Sequence, residues 1–111
     1  STFGGNPVAC AGGLAVLNKV TADGFLDEVN EKSKYLREKL LSIDEVESLS
    51  GTGLMVGIKL KSKNAADIVA KALEKGLLLL TAKDKVRLLP PLTITYEEID
   101  KGISIMEEIL K

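Results

Sequence analysis

The sequence predicts an α+β fold in which helices pack on a small, largely antiparallel sheet. Four segments place apolar residues three and four positions apart, as amphipathic helices do, and four shorter segments have strand character. These segments follow one another in the order α, α, β, β, α, β, β, α. A short turn separates the strands of each pair, as in a hairpin, and no repeat or low-complexity segment interrupts the order.

The composition excludes several classes of protein. At 111 residues the chain fits one domain with one core, and 45% hydrophobic with 28% charged residues is typical of a folded protein. A net charge of −1 provides no basic surplus for a nucleic-acid partner, and no apolar run reaches the ~20 residues of a membrane span. No membrane partner is therefore expected, and a soluble, cytoplasmic protein is the expectation.

The chain contains one cysteine and no histidine. This excludes an intramolecular disulfide, the usual zinc ligand sets and every His-based catalytic triad, so no metal site is expected. The cysteine, Cys10, lies in the small-residue run "ACAGGLA", where a buried packing thiol is favoured over a nucleophile.

The first helix is predicted from Pro7 to about Val20, with Asn6 as its cap and "TADG" as its end. Gly12 and Gly13 within it predict the close approach of another backbone, such as that of a second subunit. The second helix is predicted from Phe25 to Leu41. Its buried face is expected to carry Phe25, Val29, Ser33, Leu36 and Leu40, and its solvent side Glu28, Lys32, Arg37 and Lys39.

The segment "VESLSGTGLMVGIKL" predicts two strands with a bend at Gly51 and Gly53. Its glycine spacing matches neither a dinucleotide-binding fingerprint nor a P-loop, so we interpret "GTGLMVG" as a structural turn with a β-bulge.

The third helix is predicted to begin after Asn64 and to stop at Gly76. Two strands, Leu77 to Thr81 and Lys85 to Leu89, are predicted around a polar turn, and two prolines end the second of them. Thr95 and Glu98 form a capping box for the last helix. The buried face of that helix is expected to carry Ile99, Ile103, Met106 and Leu110.

Two stretches are candidates for binding chemistry. Arg87, one of only two arginines, lies in the apolar stretch "VRLLPP" and could bind a planar carboxylate; alternatively it reaches solvent or pairs with an internal carboxylate. "STFGGNP" combines the hydroxyls of Ser1 and Thr2 with a helix start, which suits a phosphate as well as it suits a plain helix entry.

Three motifs, "STFGGNPVACAGGLAVL", "GTGLMVGIKL" and "VRLLPPLTIT", resemble in this order the C-terminal part of class III (fold type I) pyridoxal-phosphate aminotransferases. The resemblance spans essentially the whole chain. It implies that Thr2, with Ser1 in support, binds the phosphate of pyridoxal 5'-phosphate held by the neighbouring subunit of a homodimer. It also implies that Arg87 binds the α-carboxylate of the amino-acid substrate or of 2-oxoglutarate.

The same resemblance implies that the Schiff-base lysine lies upstream, in a large cofactor domain, so that this chain has no catalytic residue and is inactive alone. Residues 1–20 would be a cofactor-phosphate strip with a connecting helix, and residues 21–111 the C-terminal small domain. The implied reaction is a transamination of arginine biosynthesis, from acetylornithine to 2-oxoglutarate. Ornithine, succinylornithine and 4-aminobutyrate are alternative amino donors, and a free-standing, non-catalytic interaction domain is the alternative of another class.

Overall fold

Four helices and four strands follow one another in the predicted order in a computed structural model that describes residues 1–111. The helices are α1 (Pro7–Val20), α2 (Phe25–Leu41), α3 (Ala65–Glu74) and α4 (Tyr96–Leu110). The strands are β1 (Val46–Ser50), β2 (Val56–Leu60), β3 (Leu80–Ala82) and β4 (Lys85–Leu88). The α+β fold class is therefore confirmed.

The strands form one sheet in the order β1-β2-β4-β3, and every neighbouring pair is antiparallel. Side chains alternate between the two faces. One face is buried under helices and includes Val56, Ile58 and Val86, none of which is exposed to solvent. The opposite face, called the open face below, carries Ser48, Ser50, Gly57, Lys59, Leu80, Ala82, Lys85 and Arg87.

A single core of 19 apolar residues lies between the sheet and helices α2, α3 and α4. The buried face of α4 is the predicted one, because Ile99, Ile103, Met106 and Leu110 are all buried. Its predicted capping box is also present: the Thr95 hydroxyl accepts from the Glu98 N–H, and the Glu98 carboxylate accepts from the Thr95 N–H. These contacts fix the start of α4.

The hairpin of β1 and β2 contains a register shift between Val46 and Ser48, far from the "GTG" turn where we expected a bulge. The shift explains why Val46 and Leu49, three residues apart, both face the core. The turn itself requires glycine, because Gly51 has a φ of 96° and a Cβ there would lie 2.1 Å from the Met55 oxygen.

Strand β3 begins at Leu80 rather than Leu77, and β4 ends at Leu88 rather than Leu89. The Leu77 N–H is already used to close α3, where it bonds the Ala72 oxygen at 2.8 Å after Gly76 turns with a φ of 80°. Pro90 ends β4, as predicted, and its ring restricts the preceding Leu89.

Helix α2 differs from its prediction on the solvent side. Lys32 is buried, and its ammonium lies 2.6 Å from the Glu28 carboxylate and 5.9 Å from the centre of the Tyr96 ring. A lysine can be buried in this way because its charge is paired while its stem packs on apolar surface.

Helix α1 has no buried residue. It exposes Val8, Leu14, Val16 and Leu17, each by at least 60%. The radius of gyration is 16.4 Å, whereas a compact chain of this length has about 13 Å. Residues 21–111 thus contain the whole core, and no helix is long and apolar enough to cross a membrane.

Candidate functional site

Arg87 lies in the middle of β4, between Gly57 of β2 and Leu80 of β3. Its neighbour Val86 is fully buried on the helix-covered face, so the alternation of the strand places Arg87 on the open face. The surrounding strands fix the position of its backbone, while its guanidinium extends from the face that the helices leave uncovered.

The guanidinium of Arg87 lacks a partner within the chain. Its Nε is buried and has no hydrogen-bond partner. The three ion pairs of the structure, Lys32–Glu28, Lys59–Glu47 and Lys75–Glu108, do not include it. Of the two alternatives for Arg87, pairing with an internal carboxylate finds no such carboxylate, whereas reaching solvent stays open for this half-buried side chain. A planar anion would satisfy the unpaired donor with the geometry that guanidinium favours.

The residues around Arg87 add positive charge and an apolar surface. The Lys85 ammonium donates to the Ser50 hydroxyl at 3.1 Å, and that hydroxyl donates to the Gly57 oxygen at 3.3 Å. A Cβ at Gly57 would lie 2.8 Å from the Ser50 oxygen, so glycine leaves room for this network. Leu80, opposite Arg87 in β3, is half exposed. No carboxylate neutralises Lys85 or Arg87 in the structure.

The stretch at residues 1–6 folds as two successive turns before α1. The Gly4 N–H donates to the Ser1 oxygen at 3.3 Å, and the Asn6 N–H donates to the Phe3 oxygen at 3.3 Å. Gly5 has a φ of 78°, as glycine allows. The hydroxyls of Ser1 and Thr2 make no hydrogen bond within the chain and are exposed.

Asn6 caps α1 as predicted, because its side-chain oxygen accepts from the Val8 N–H at 2.9 Å and the Ala9 N–H at 3.3 Å. These helix donors are consequently occupied. The donors left for an anion are the Ser1 and Thr2 hydroxyls and the backbone N–H groups of residues 2, 3 and 5, which have no acceptor in the chain. No hydrogen bond joins this stretch to Arg87.

Arg37 and Ser33 also make contacts that we did not predict. Arg37 was placed on the solvent side of α2, yet its guanidinium bonds the carbonyl oxygens of Gly51 and Gly53. Ser33, already expected on the buried face, donates to the Gly53 oxygen at 2.7 Å. The sequence signal was a serine on an apolar face, one helical turn before an arginine.

The prediction of a buried thiol at Cys10 is wrong, because the thiol is exposed. The small residues around it do create a surface for close packing, but no part of the 111 residues covers α1.

Comparison with known proteins identifies relatives over almost the entire chain. The profile of the family "Aminotransferase class-III" matches residues 1–110. An acetylornithine aminotransferase of Caldanaerobacter subterraneus subsp. tengcongensis is 50% identical over 115 residues, which cover 99% of this chain and 29% of that protein.

Solved structures have the same fold. The N-acetylornithine aminotransferase from Stenotrophomonas maltophilia has a TM-score of 0.88 at 32% identity, covering 96% of this chain and 31% of its own. The ornithine aminotransferase from Toxoplasma gondii has a TM-score of 0.83 at 28% identity, covering 99% of this chain and 28% of its own. The 111 residues thus span about 30% of these relatives.

Proposed function

The chain belongs to the class-III aminotransferases, and we propose that it is the C-terminal part of an enzyme that transfers the amino group of N-acetylornithine to 2-oxoglutarate. The products are N-acetylglutamate 5-semialdehyde and glutamate. The chain contributes substrate and cofactor contacts, and the lysine that carries the cofactor belongs to the large domain.

Arg87 carries this proposal, because its buried Nε has no partner within the chain. An unpaired buried donor costs free energy, so a site that contains one is stabilised when a ligand supplies the acceptor. Both substrates of the reaction carry a carboxylate that can accept two parallel hydrogen bonds from a guanidinium. Arg87 binds that carboxylate and thereby fixes the distance of the reacting carbon from the cofactor.

Pyridoxal 5'-phosphate fits the first residues of the chain through its phosphate. The Thr2 hydroxyl, with Ser1 in support, and the unpaired N–H groups nearby are the kind of donors that bind phosphate. The cofactor, when bound, supplies the electron-accepting ring on which amino-group transfer depends. Gly5, through its positive φ, shapes the turn that allows the backbone to approach the phosphate.

Two functional regions follow from the proposal. Residues 1–20 form the cofactor-phosphate strip with its connecting helix, and residues 21–111 form the C-terminal small domain. The exposed apolar residues of α1 would be covered by the large cofactor domain and by the second subunit of a homodimer. Thr2 would then bind the cofactor of the neighbouring subunit.

Acetylornithine is the proposed donor because the relatives that are 50% and 46% identical to this chain are named acetylornithine aminotransferases. Ornithine is a second candidate, since the ornithine aminotransferase from Toxoplasma gondii has nearly the same fold over this region. Succinylornithine and 4-aminobutyrate remain alternatives that the residues of this chain do not separate. A free-standing interaction domain is the alternative of another class, and it would use the exposed face of α1 to bind a partner.

The test is an assay of the full-length enzyme with each donor at equal concentration and 2-oxoglutarate as acceptor. We expect acetylornithine to have a kcat/KM at least about tenfold above that of ornithine and 4-aminobutyrate. A preference for ornithine would replace the proposed donor while leaving the transaminase assignment intact. No glutamate formation with any donor, in a sample that binds the cofactor, would favour the non-catalytic alternative.

A further inference from the structure

The turn at residues 51–55 makes few hydrogen bonds of its own. Its backbone bond runs from the Met55 N–H to the Thr52 oxygen at 3.1 Å. The carbonyl groups of Gly51 and Gly53 are left to other donors, and neither glycine is restrained by a side chain. A turn of this kind needs support from outside to hold one conformation.

Helix α2 supplies that support through two side chains. Arg37 Nη2 donates to the Gly51 oxygen at 3.0 Å and to the Gly53 oxygen at 3.3 Å. Arg37 Nε donates to the Ser33 hydroxyl at 3.3 Å, and Ser33 donates to the Gly53 oxygen at 2.7 Å. Ser33 is buried, so its hydroxyl is shielded from competing water. A guanidinium can bridge these acceptors because its donors are fixed in one plane.

The turn leads directly into β2, which pairs with the strand of Arg87. Val56 is the first residue after the turn and lies opposite Leu88, and Gly57 lies opposite Arg87. A displacement of the turn therefore displaces the segment of β2 beside Arg87. The Arg87 Nε makes no hydrogen bond that could hold the side chain independently of the strands.

We propose that Arg37 and Ser33 are positioning residues that hold the turn at residues 51–55, and through β2 the carboxylate-binding Arg87, in place. This inference rests on the proposed function of Arg87. The "GTG" motif then has a structural role, and no ligand needs to bind to it. The guanidinium of Arg37 bonds Ser33, Gly51 and Gly53 within the chain, so on this proposal its removal changes substrate affinity without removing a binding group.

The experiment compares Arg37→Gln and Ser33→Ala with Arg87→Lys in the full-length enzyme loaded with pyridoxal 5'-phosphate. Lys34→Gln is the matched control, because it removes one positive charge from an exposed site of the same helix. We expect Arg37→Gln to raise KM for acetylornithine and for 2-oxoglutarate about three- to tenfold, with kcat and cofactor absorbance changed less than about twofold. Lys34→Gln should leave all four quantities unchanged.

The double variant Arg37→Gln/Arg87→Lys distinguishes positioning from a general loss of stability. If Arg37 acts through Arg87, adding Arg37→Gln to Arg87→Lys should raise KM by less than about twofold further. Independent, multiplicative effects would overturn the inference, and so would a lower melting temperature with unchanged KM. If Arg37→Gln does not fold, Ser33→Ala takes its place in the same cycle.

The variant Arg87→Lys distinguishes a failure of the positioning inference from a failure of the proposed role of Arg87. If Arg87→Lys raises KM and neither Arg37→Gln nor Ser33→Ala does, the positioning inference is wrong while the carboxylate role of Arg87 stands. If Arg87→Lys itself leaves KM unchanged, the proposed role of Arg87 is wrong and the inference falls with it.

Discussion

Arg37 and Arg87 are the two arginines of the chain, and their surroundings differ in one decisive respect. The donors of Arg37 are used within the protein, on a turn and a serine. Arg87 keeps a buried donor that nothing in the chain satisfies. The first pattern is that of a structural arginine, and the second fits the ligand contact that we propose for Arg87.

Replacement of Arg87 by lysine tests whether substrate binding needs the planar donors of the guanidinium or only its positive charge. Arg87→Lys keeps the positive charge but loses the planar pair of donors, which we expect to cost roughly 1.5 to 3 kcal/mol of substrate interaction. That equals about a ten- to hundredfold loss in kcat/KM of the full-length enzyme. Steady-state kinetics with both substrates measure it. Values within about twofold of the wild type for both would support a purely structural arginine instead.

Replacement of Thr2 should weaken cofactor binding and leave substrate binding unchanged, which is the opposite of the effect expected for Arg87. Thr2→Ala removes the hydroxyl that we propose as a donor to the cofactor phosphate, so we expect weaker retention of pyridoxal 5'-phosphate, by about three- to tenfold in Kd. Dialysis followed by absorbance titration of the full-length enzyme measures this loss. At saturating cofactor, KM for 2-oxoglutarate should match that of the wild type. Unchanged cofactor affinity would show that the phosphate contacts lie elsewhere.

At the scale of elements, local rules predicted most of the boundaries. Asn6, Asn64 and Thr95 each cap the helix that follows, and Gly76 ends α3. These residues act through neighbours a few positions away, which is why the sequence reveals them. The register shift of β1 depends on pairing between distant residues. So do the contact of Lys32 with the Tyr96 ring and the bonds of Arg37 to the Gly51 and Gly53 oxygens, and periodicity along one helix contains no information about them.

The candidate sites at Arg87 and at residues 1–6 could be predicted only in part, again because the sequence reveals local features but not contacts between distant residues. An arginine in an apolar strand is unusual enough to be noticed, and the hydroxyl-rich turn before α1 has a local signature. The absence of an internal partner for Arg87 becomes visible only when the sheet is assembled. The support of the "GTG" turn by α2 spans 14 to 20 residues of sequence and follows from packing alone.

The capping box of α4 offers a test of stability and its pH dependence. The Thr95 backbone N–H and then its hydroxyl bond the Glu98 carboxylate, and these bonds hold the pKa of Glu98 below its ordinary value of 4.5. A carboxyl with a lowered pKa contributes stability above its unfolded pKa, and that contribution is lost as the pH falls through the folded pKa. Thr95→Ala removes the N-cap hydroxyl that accepts from the Glu98 N–H, so it should destabilise the chain by about 1 kcal/mol at pH 7.

Urea unfolding of the 111-residue chain, followed by circular dichroism at pH 7 and at pH 3, measures this effect. The difference between Thr95→Ala and the wild type should shrink from pH 7 to pH 3, because the contribution of the Glu98 carboxylate is lost as the pH falls. Thr93→Ala, an exposed threonine two residues earlier, is the matched control and should leave the midpoint unchanged. An equal destabilisation at both pH values would show that the bond between the Thr95 hydroxyl and the Glu98 carboxylate contributes nothing to the cap.

Helix α1 should be the least protected helix of the chain. It has no buried residue, so its opening exposes no core, and isolated helices of this length are marginal in water. Hydrogen exchange of the 111-residue chain should show rapid exchange in residues 1–20 and slow exchange in α2 and α4, unless α1 pairs with a second copy. Strong protection of residues 1–20 in a sample that is monomeric by light scattering would contradict this expectation.

At the scale of the whole molecule, the core and the proposed ligand contacts lie on different surfaces. All core residues belong to residues 21–111, while Thr2 precedes the core and Arg87 lies on the open face. The fold can therefore form without completing any site. This separation suits a domain whose binding groups act only together with another part of the enzyme.

From this separation we expect the 111-residue chain to fold and yet to catalyse no transamination. The capped helices and the core support folding, whereas the lysine that carries the cofactor is implied to lie outside these residues. The chain incubated with acetylornithine, 2-oxoglutarate and pyridoxal 5'-phosphate should form glutamate at the rate of a protein-free control, and circular dichroism should confirm its helices. The full-length enzyme is the positive control. Glutamate formation above the control, together with stoichiometric attachment of the cofactor to one lysine of this chain, would show that the chain carries its own catalytic group.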